Sequence, residues 1–236
     1  MEKRFGEPVT GWVAPPRPGP AVMEGRWVRL ERLDPGRHAH QVHAANQESD
    51  AIWDYLPYGP FGSEEAWESW AEGMAPLADP FFYAIRDLGT GRAAGVASYL
   101  RISPEAGSIE VGHINLAPAL QRTPAATEAM ALMMRWAFEA GYRRYEWKCD
   151  ALNLPSRRAA QRLGLSYEGV FRQATVVKGQ NRDTAWFATI DKEWPALQAA
   201  YEAWLAPGNF DAEGQQRVAL SALTAGVLVA RDPVAV

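Results

Sequence analysis

Between Ser108 and Cys149 the chain runs from an alternating strand-like stretch (Ser108 to Leu116) through a proline-interrupted loop into a strong helical pattern, Thr127 to Ala140. Gly141 ends that pattern, and a second strand follows over Arg144 to Cys149. This succession constrains the fold more than any other feature, because strands separated by an amphipathic helix build a layered α/β sheet. The remaining segments agree with it. Trp27 to Glu31 alternates apolar and polar positions, and Asp34-Pro35 opens a helix reaching Glu48. Ser63-Glu64-Glu65 caps a second helix with a Trp67, Trp70, Met74 stripe. Phe81 to Asp87 and Arg92 to Arg101 are strands joined by Leu88-Gly89-Thr90-Gly91, so three consecutive strands make an antiparallel meander. Pro155 to Leu163 is a helix ended by Gly164, Tyr167 to Val177 and Thr184 to Ile190 flank Gly179-Gln180-Asn181, and Asp191 opens a last helix through Trp204.

A length of 236 residues with 47% hydrophobic and 22% charged side chains fits one folded domain with extended ends. Residues 1–23 read as a Pro-rich arm, with Pro15, Pro16, Pro18 and Pro20, in which Trp12 predicts docking on the body or on a partner subunit. Residues 24–206 read as the α/β domain. Residues 207–236 form a weakly patterned extension with a short helix around Val218 to Leu223. A net charge of -4 has the wrong sign for coating phosphate backbones, so no nucleic-acid partner is expected, and it favours a cationic substrate through steering. Cys149, the one cysteine, has no disulfide partner and leaves no zinc cluster; a cytoplasmic protein without metal is expected, and no apolar run is long enough for a membrane span.

Two stretches carry the candidate chemistry. A helix starting shortly after a strand that ends at Pro118 gathers orphan N–H groups and the positive end of its dipole, and Gln121, Arg122 and Thr123 add donors. Pro118 also stops strand pairing, which opens a slot beside it. In the second stretch Asn153 follows a strand, while Ser156 and Arg158 lie in the first turn of the next helix, so polar groups collect at neighbouring strand ends.

These residues resemble the GNAT superfamily of N-acetyltransferases, in particular its branch of ribosomal-protein N-terminal acetyltransferases, over about Glu24 to Trp194. The motifs are the strand-loop-helix of Glu110 to Ala129 and the Asn153-x-x-Ser156 helix ending in Arg162-Leu163-Gly164. The resemblance implies a single domain with a central mixed, mostly antiparallel twisted sheet flanked by helices and splayed into a coenzyme A cleft. It further implies acetyl-CoA as acyl donor, with the backbone of Asn115, Leu116 and Ala117 on the pantetheine arm and Asn153 beside it. Pro124 and Ala126 occupy the two glycine positions of the family's phosphate loop, which leaves N–H donors at Thr123, Ala125, Ala126 and Thr127. By family register Glu110 is the general base; the residues alone equally permit a carboxylate paired with arginine. His113 is a second base or a link in a water chain, against an ordinary strand histidine. Ser156 is the proton donor to the thiolate, against a helix-supporting hydroxyl. Trp53, Tyr55, Tyr58 and Phe61 flank the acceptor site or close a core.

The function expected is direct transfer of an acetyl group to a primary amine of a small molecule or a protein N-terminus. The rival is a non-catalytic acyl-CoA-binding module of the same fold. The hairpin over 175–190 offers a homodimer edge or completes the sheet.

Overall fold

In the computed structural model, which describes residues 3–235, strands and helices alternate as the hydrophobic pattern predicts. The first two residues of the arm and Val236 lie outside the described residues. Strands β1 (Val22–Glu24) and β2 (Val28–Arg32) form a hairpin, followed by α1 (Pro35–Asn46), a 3-10 turn over Asp50–Trp53 and α2 (Glu64–Met74). Asp34 and Ser63 accept the Arg37 and Ala66 N–H groups at 3.2 Å, as helix caps should. The meander is β3 (Phe81–Asp87), β4 (Arg92–Ser103) and β5 (Ser108–Leu116). Next come α3 (Pro124–Glu139), β6 (Arg144–Asp150), α4 (Leu154–Arg162), β7 (Ser166–Val177), β8 (Gln180–Ile190), α5 (Trp194–Leu205) and the short α6 (Leu220–Thr224). The helix α5 begins at Trp194 with Pro195 in its first turn, so Asp191 sits in the preceding turn, accepting the Lys192 N–H, and caps nothing.

One eight-stranded sheet has the order β1-β2-β3-β4-β5-β6-β8-β7, and every neighbouring pair is antiparallel except β5–β6. The expected mixed, mostly antiparallel sheet is thus what forms. Lys178 and Gly179 both take positive φ, 49° and 76°, giving the two-residue turn that lets β7 and β8 complete the sheet. Helices α3 and α5 cover one face over a large core containing Ile109, Val111, Met133, Tyr145 and Phe187. Helices α1 and α2 cover only β2 to β4 of the other face, over Trp53, Trp67, Phe82 and Val96.

Two devices fasten the ends. Glu128, on α3, accepts backbone N–H bonds from Arg26, Trp27 and Val28 at 2.9, 2.6 and 3.1 Å. Gly25 is required there, because a Cβ would stand 2.3 Å from the Glu128 carboxyl carbon. The Pro-rich arm lies on the body: Tyr142 and Tyr83 donate their hydroxyls to the Pro16 and Pro20 carbonyls at 3.0 and 2.9 Å, and Arg143 faces the Trp12 ring at 5.6 Å. The tail is packed as well. Leu220 is buried, the Thr224 hydroxyl donates to the Arg162 carbonyl at 3.1 Å, and Asp232 is buried against α4.

Candidate active site

Strands β5 and β6 pair over only four registers, from Ser108↔Arg144 to Val111↔Trp147. Beyond them β5 stays with β4 as far as Gly95↔Leu116, and β6 stays with β8 as far as Asp150↔Thr184, so the two part and leave a slot. A bulge lies at the parting: Ser98↔Gly112 is followed by Val96↔Asn115, and His113 takes a left-handed φ of 49°.

At the outer end of the slot the chain makes a 3-10 turn over Pro118–Leu120 and turns into α3, which starts at Pro124, three residues earlier than the pattern suggests. Thr123 is its cap, accepting the Ala126 N–H at 3.1 Å, and Thr127 donates its own N–H to the Thr123 carbonyl at 3.3 Å. Both of those donors are therefore engaged within the helix start. The N–H groups of Arg122, Thr123 and Ala125 make no hydrogen bond among the described residues, and Arg122 holds a φ of 62°. The Gln121 amide is turned back to the Leu116 carbonyl at 2.9 Å, and the Thr127 hydroxyl accepts from Arg162 at 3.2 Å. The buried Asn115 side chain accepts from Asn46 at 3.0 Å, and its own amide nitrogen has no partner.

Across the slot, Asn153 caps α4 by accepting the Ser156 N–H at 3.1 Å. Ser156 in turn accepts the Trp147 indole N–H at 3.0 Å and lies beside Cys149, whose thiol burial pushes up to about 11. Arg158 is exposed. Its neighbour Arg157 is the buried one, clamped by Asp232 through two bonds of 2.6 Å and donating to the Ala151 carbonyl at 2.6 Å. No local signal marks this pair, since its members stand 75 residues apart.

On the opposite face of the sheet Glu110 is fully engaged. Arg101 spans both of its oxygens at 2.8 Å, Lys148 meets one at 2.8 Å, and Lys148 continues to Glu146 at 2.8 Å. The arginine-paired alternative is the one this geometry displays. His113 stacks on Phe82 with ring centroids 5.2 Å apart, its Nδ1 lies 3.0 Å from the Ser98 hydroxyl, and burial together with the Arg101 charge lowers its pKa to about 4. Trp53, Tyr58 and Phe61 form an aromatic cluster with Trp70, and Tyr58 also faces His113 at 5.8 Å. Tyr55 stands apart from that cluster, exposed, donating to the Leu152 carbonyl at 3.3 Å. Lys178, from the β7–β8 turn, donates to the Trp53 carbonyl at 2.9 Å. Phe82 and Trp70 complete the cluster, and the sequence marks them only as positions in a strand and in a helix stripe.

The family model for an acetyltransferase (GNAT) domain matches residues 28–166. The chain belongs to the GNAT acetyltransferase family. Among solved structures, this GNAT protein is similar to a GCN5-related N-acetyltransferase from Brucella melitensis, with a TM-score of 0.90 and 44% identity over 92% of this chain and 100% of that chain. It is also similar to a probable GNAT-family acetyltransferase from Chromobacterium violaceum, at TM-score 0.77 and 39% identity over 83% and 99% of the two chains. The microcin C7 self-immunity acetyltransferase MccE, solved with acetyl-CoA and AMP, shares the fold at TM-score 0.63 and 18% identity over 70% of this chain and 93% of that one. No curated protein sequence matches the chain. GNAT acetyltransferases use acetyl-CoA as acyl donor. Among the described residues no group of three or more His, Cys, Asp or Glu is placed to hold a metal ion, and no helix is long and apolar enough to cross a membrane.

Proposed function

We propose that this chain transfers the acetyl group of acetyl-CoA to an amine, in a reducing, cytoplasmic setting that suits its one buried thiol. The parting of β5 and β6 beside the open start of α3 carries this reading. The donor fits the residues present: three uncommitted N–H groups at a helix start suit a pyrophosphate, and the unpaired slot edges of β5 and β6 suit the amide groups of an extended arm. When bound, acetyl-CoA supplies an activated acyl group.

The chain's own residues then divide the work by sheet face. The N–H groups of Arg122, Thr123 and Ala125 bind phosphate oxygens, and Asn153, whose Oδ1 caps α4, keeps its Nδ2 for the pantetheine arm. Ser156 lies on the α3–α4 face with Trp147, while His113 lies on the α1–α2 face with Phe82 and Tyr58, so the slot connects a thiol side to an amine side. Transfer joins the amine nitrogen to the acyl carbon in place of sulfur, so one proton must leave nitrogen and one must reach sulfur. His113, neutral at physiological pH because its pKa stands at about 4, takes the first at Nε2 directly or through water. The Trp147 indole donates to Ser156 Oγ, so the Ser156 hydroxyl, which also lies against the Cys149 thiol, passes its proton to sulfur as a water molecule returns one to Oγ. Glu110 holds Arg101 and Lys148 in place, and Trp53, Tyr58 and Phe61 wall the acceptor side.

The test is a mass-identified acetylated product from a cell extract supplied with labelled acetyl-CoA, read beside calorimetric coenzyme binding. A labelled amide is expected. Coenzyme binding without thiol release or labelled product would support the non-catalytic module instead.

A further inference from the structure

Most half-buried or buried arginines of this chain have identifiable partners. Arg32 donates to the carbonyls of Phe82, Ala75 and Leu77, Arg86 to Glu31, Gln41 and Gly91, Arg144 to Glu146 and Glu168, and Arg157 to Asp232. Arg182 has none. It is half-buried, its Nε is shielded from solvent without a hydrogen-bond partner, and no carboxylate among the described residues lies within 4.0 Å of it. A guanidinium in that state has already lost part of its hydration, and an anionic oxygen pair would restore the missing bonds in the planar, two-pronged geometry that arginine offers.

The position of Arg182 in β8 says which ligand would supply those oxygens. Side chains at 182, 184 and 186 share one face of the strand, and Trp186 receives Lys148 Nζ 3.7 Å from its ring centroid, which places that face on the amine side of the sheet with Glu110. Residue 184 pairs with Asp150, where β6 ends beside the slot, and residue 182 lies one step farther out, toward the Lys178 turn that touches the Trp53 carbonyl. Arg182 is close enough for its charge to act on both His113 and Cys149, one on each strand lining the slot. The neighbouring Asp183 does not neutralise it, because that carboxylate is on the other face, accepting from Gln173 and Asn181 at 2.7 and 3.0 Å.

We infer that the acceptor of this acyltransferase carries an anionic group, a carboxylate or a phosphate, which Arg182 binds while the amine faces His113. The inference rests on the acyl-transfer reading of the slot. It reverses the expectation drawn from net charge, because steering acts at long range whereas recognition is decided by the charge at the site, where the half-buried Arg182 has no carboxylate partner among the described residues.

The experiment measures thiol release from acetyl-CoA by the full chain with matched amines: L-phenylalanine against L-phenylalaninamide, and O-phosphoethanolamine against ethanolamine. Wild type is expected to favour the anionic member of at least one pair, and the pair that responds identifies the source of the oxygens. Arg182→Gln should raise the KM for that amine roughly 10- to 100-fold, the range for losing a charge-assisted pair, and bring the preference to near unity. Arg182→Lys, which keeps the charge but not the fork, should retain part of it. Equal or inverted preferences in wild type, or a preference that survives Arg182→Gln, would overturn the inference. Should none of these amines turn over, calorimetry with N-acetyl-L-phenylalanine and with N-acetyl-O-phosphoethanolamine, in the presence of coenzyme A, decides it: binding lost in Arg182→Gln supports it, and absence of binding by wild type defeats it. Failure of coenzyme A itself to bind would instead count against the acyl-transfer reading.

Discussion

At Glu110 two cations compete for one carboxylate, Arg101 across both oxygens and Lys148 on one, all at 2.8 Å. A group so held serves first as an anchor. Glu110→Gln is expected to lower unfolding free energy by about 2 kcal/mol, because Lys148 keeps only Glu146, and to lower turnover by less than about 10-fold. Loss of the general base would instead cost ~100-fold or more in turnover at unchanged stability, so thermal melts and steady-state rates on one preparation separate the two. Ser156→Ala tests the other proton. Its turnover should fall, and an acyl donor with a more acidic thiol should restore part of the loss; parallel dependence on thiol acidity in mutant and wild type would leave water as donor. The resemblance to the GNAT family names both residues, but side-chain ion pairs across strands depend on register. No local pattern tells whether Glu110 meets Arg101 or open solvent.

Among the elements, the docking of the tail on α4 has the clearest energetic content. Arg157 and Asp232 are both buried, with two bonds of 2.6 Å, and the Asp232 backbone N–H also donates to Gln161 Oε1 at 2.7 Å. Removing one charge leaves the other buried and unpaired, so Asp232→Asn should lower unfolding free energy by about 3 kcal/mol, measured by urea denaturation. Because Arg157 also holds the Ala151 carbonyl next to Asn153, the same variant should raise the KM for acetyl-CoA. Helices and long strands were readable from their periodicity and caps. The three-residue β1 was not, since a strand that short has no period, and neither was the tail's contact, which joins residues 75 apart in a segment of weak pattern. The early start of α3 follows from Thr123 and Pro124, which act as cap and first-turn proline where the apolar stripe alone points to Thr127.

Across the whole molecule, two buried groups and one half-buried one share one response to acid. Hydrogen bonding to Arg86 holds Glu31 at about 2 against an ordinary 4.5, and burial lowers both His38 and His113, the latter to about 4 against 6.5. Each of these folded-state values lies below the unfolded one. The histidines therefore stabilise the fold above pH 6.5 and lose that contribution as pH falls through their folded values, while Glu31 loses its own between 4.5 and 2. Urea midpoints should accordingly fall from pH 7 to pH 5 and again to pH 3, and His113→Gln should flatten the part of that decline above pH 4. A constant midpoint over this range would contradict the assigned burial.

The four registers that join β5 to β6 have a consequence for where the sheet breathes. In most sheets amide protons exchange fastest at the outer strands, which have bonds on one side only. Here β5 beyond Val111 and β6 beyond Trp147 each lack a neighbour on the slot side, so rapid deuterium uptake is expected in the middle of the sheet, at the slot-facing amides of residues 112–116 and 148–150. Those amides should become slow when acetyl-CoA is added, so the loss of exchange would map the seam strand by strand and report its occupancy before any bond is made.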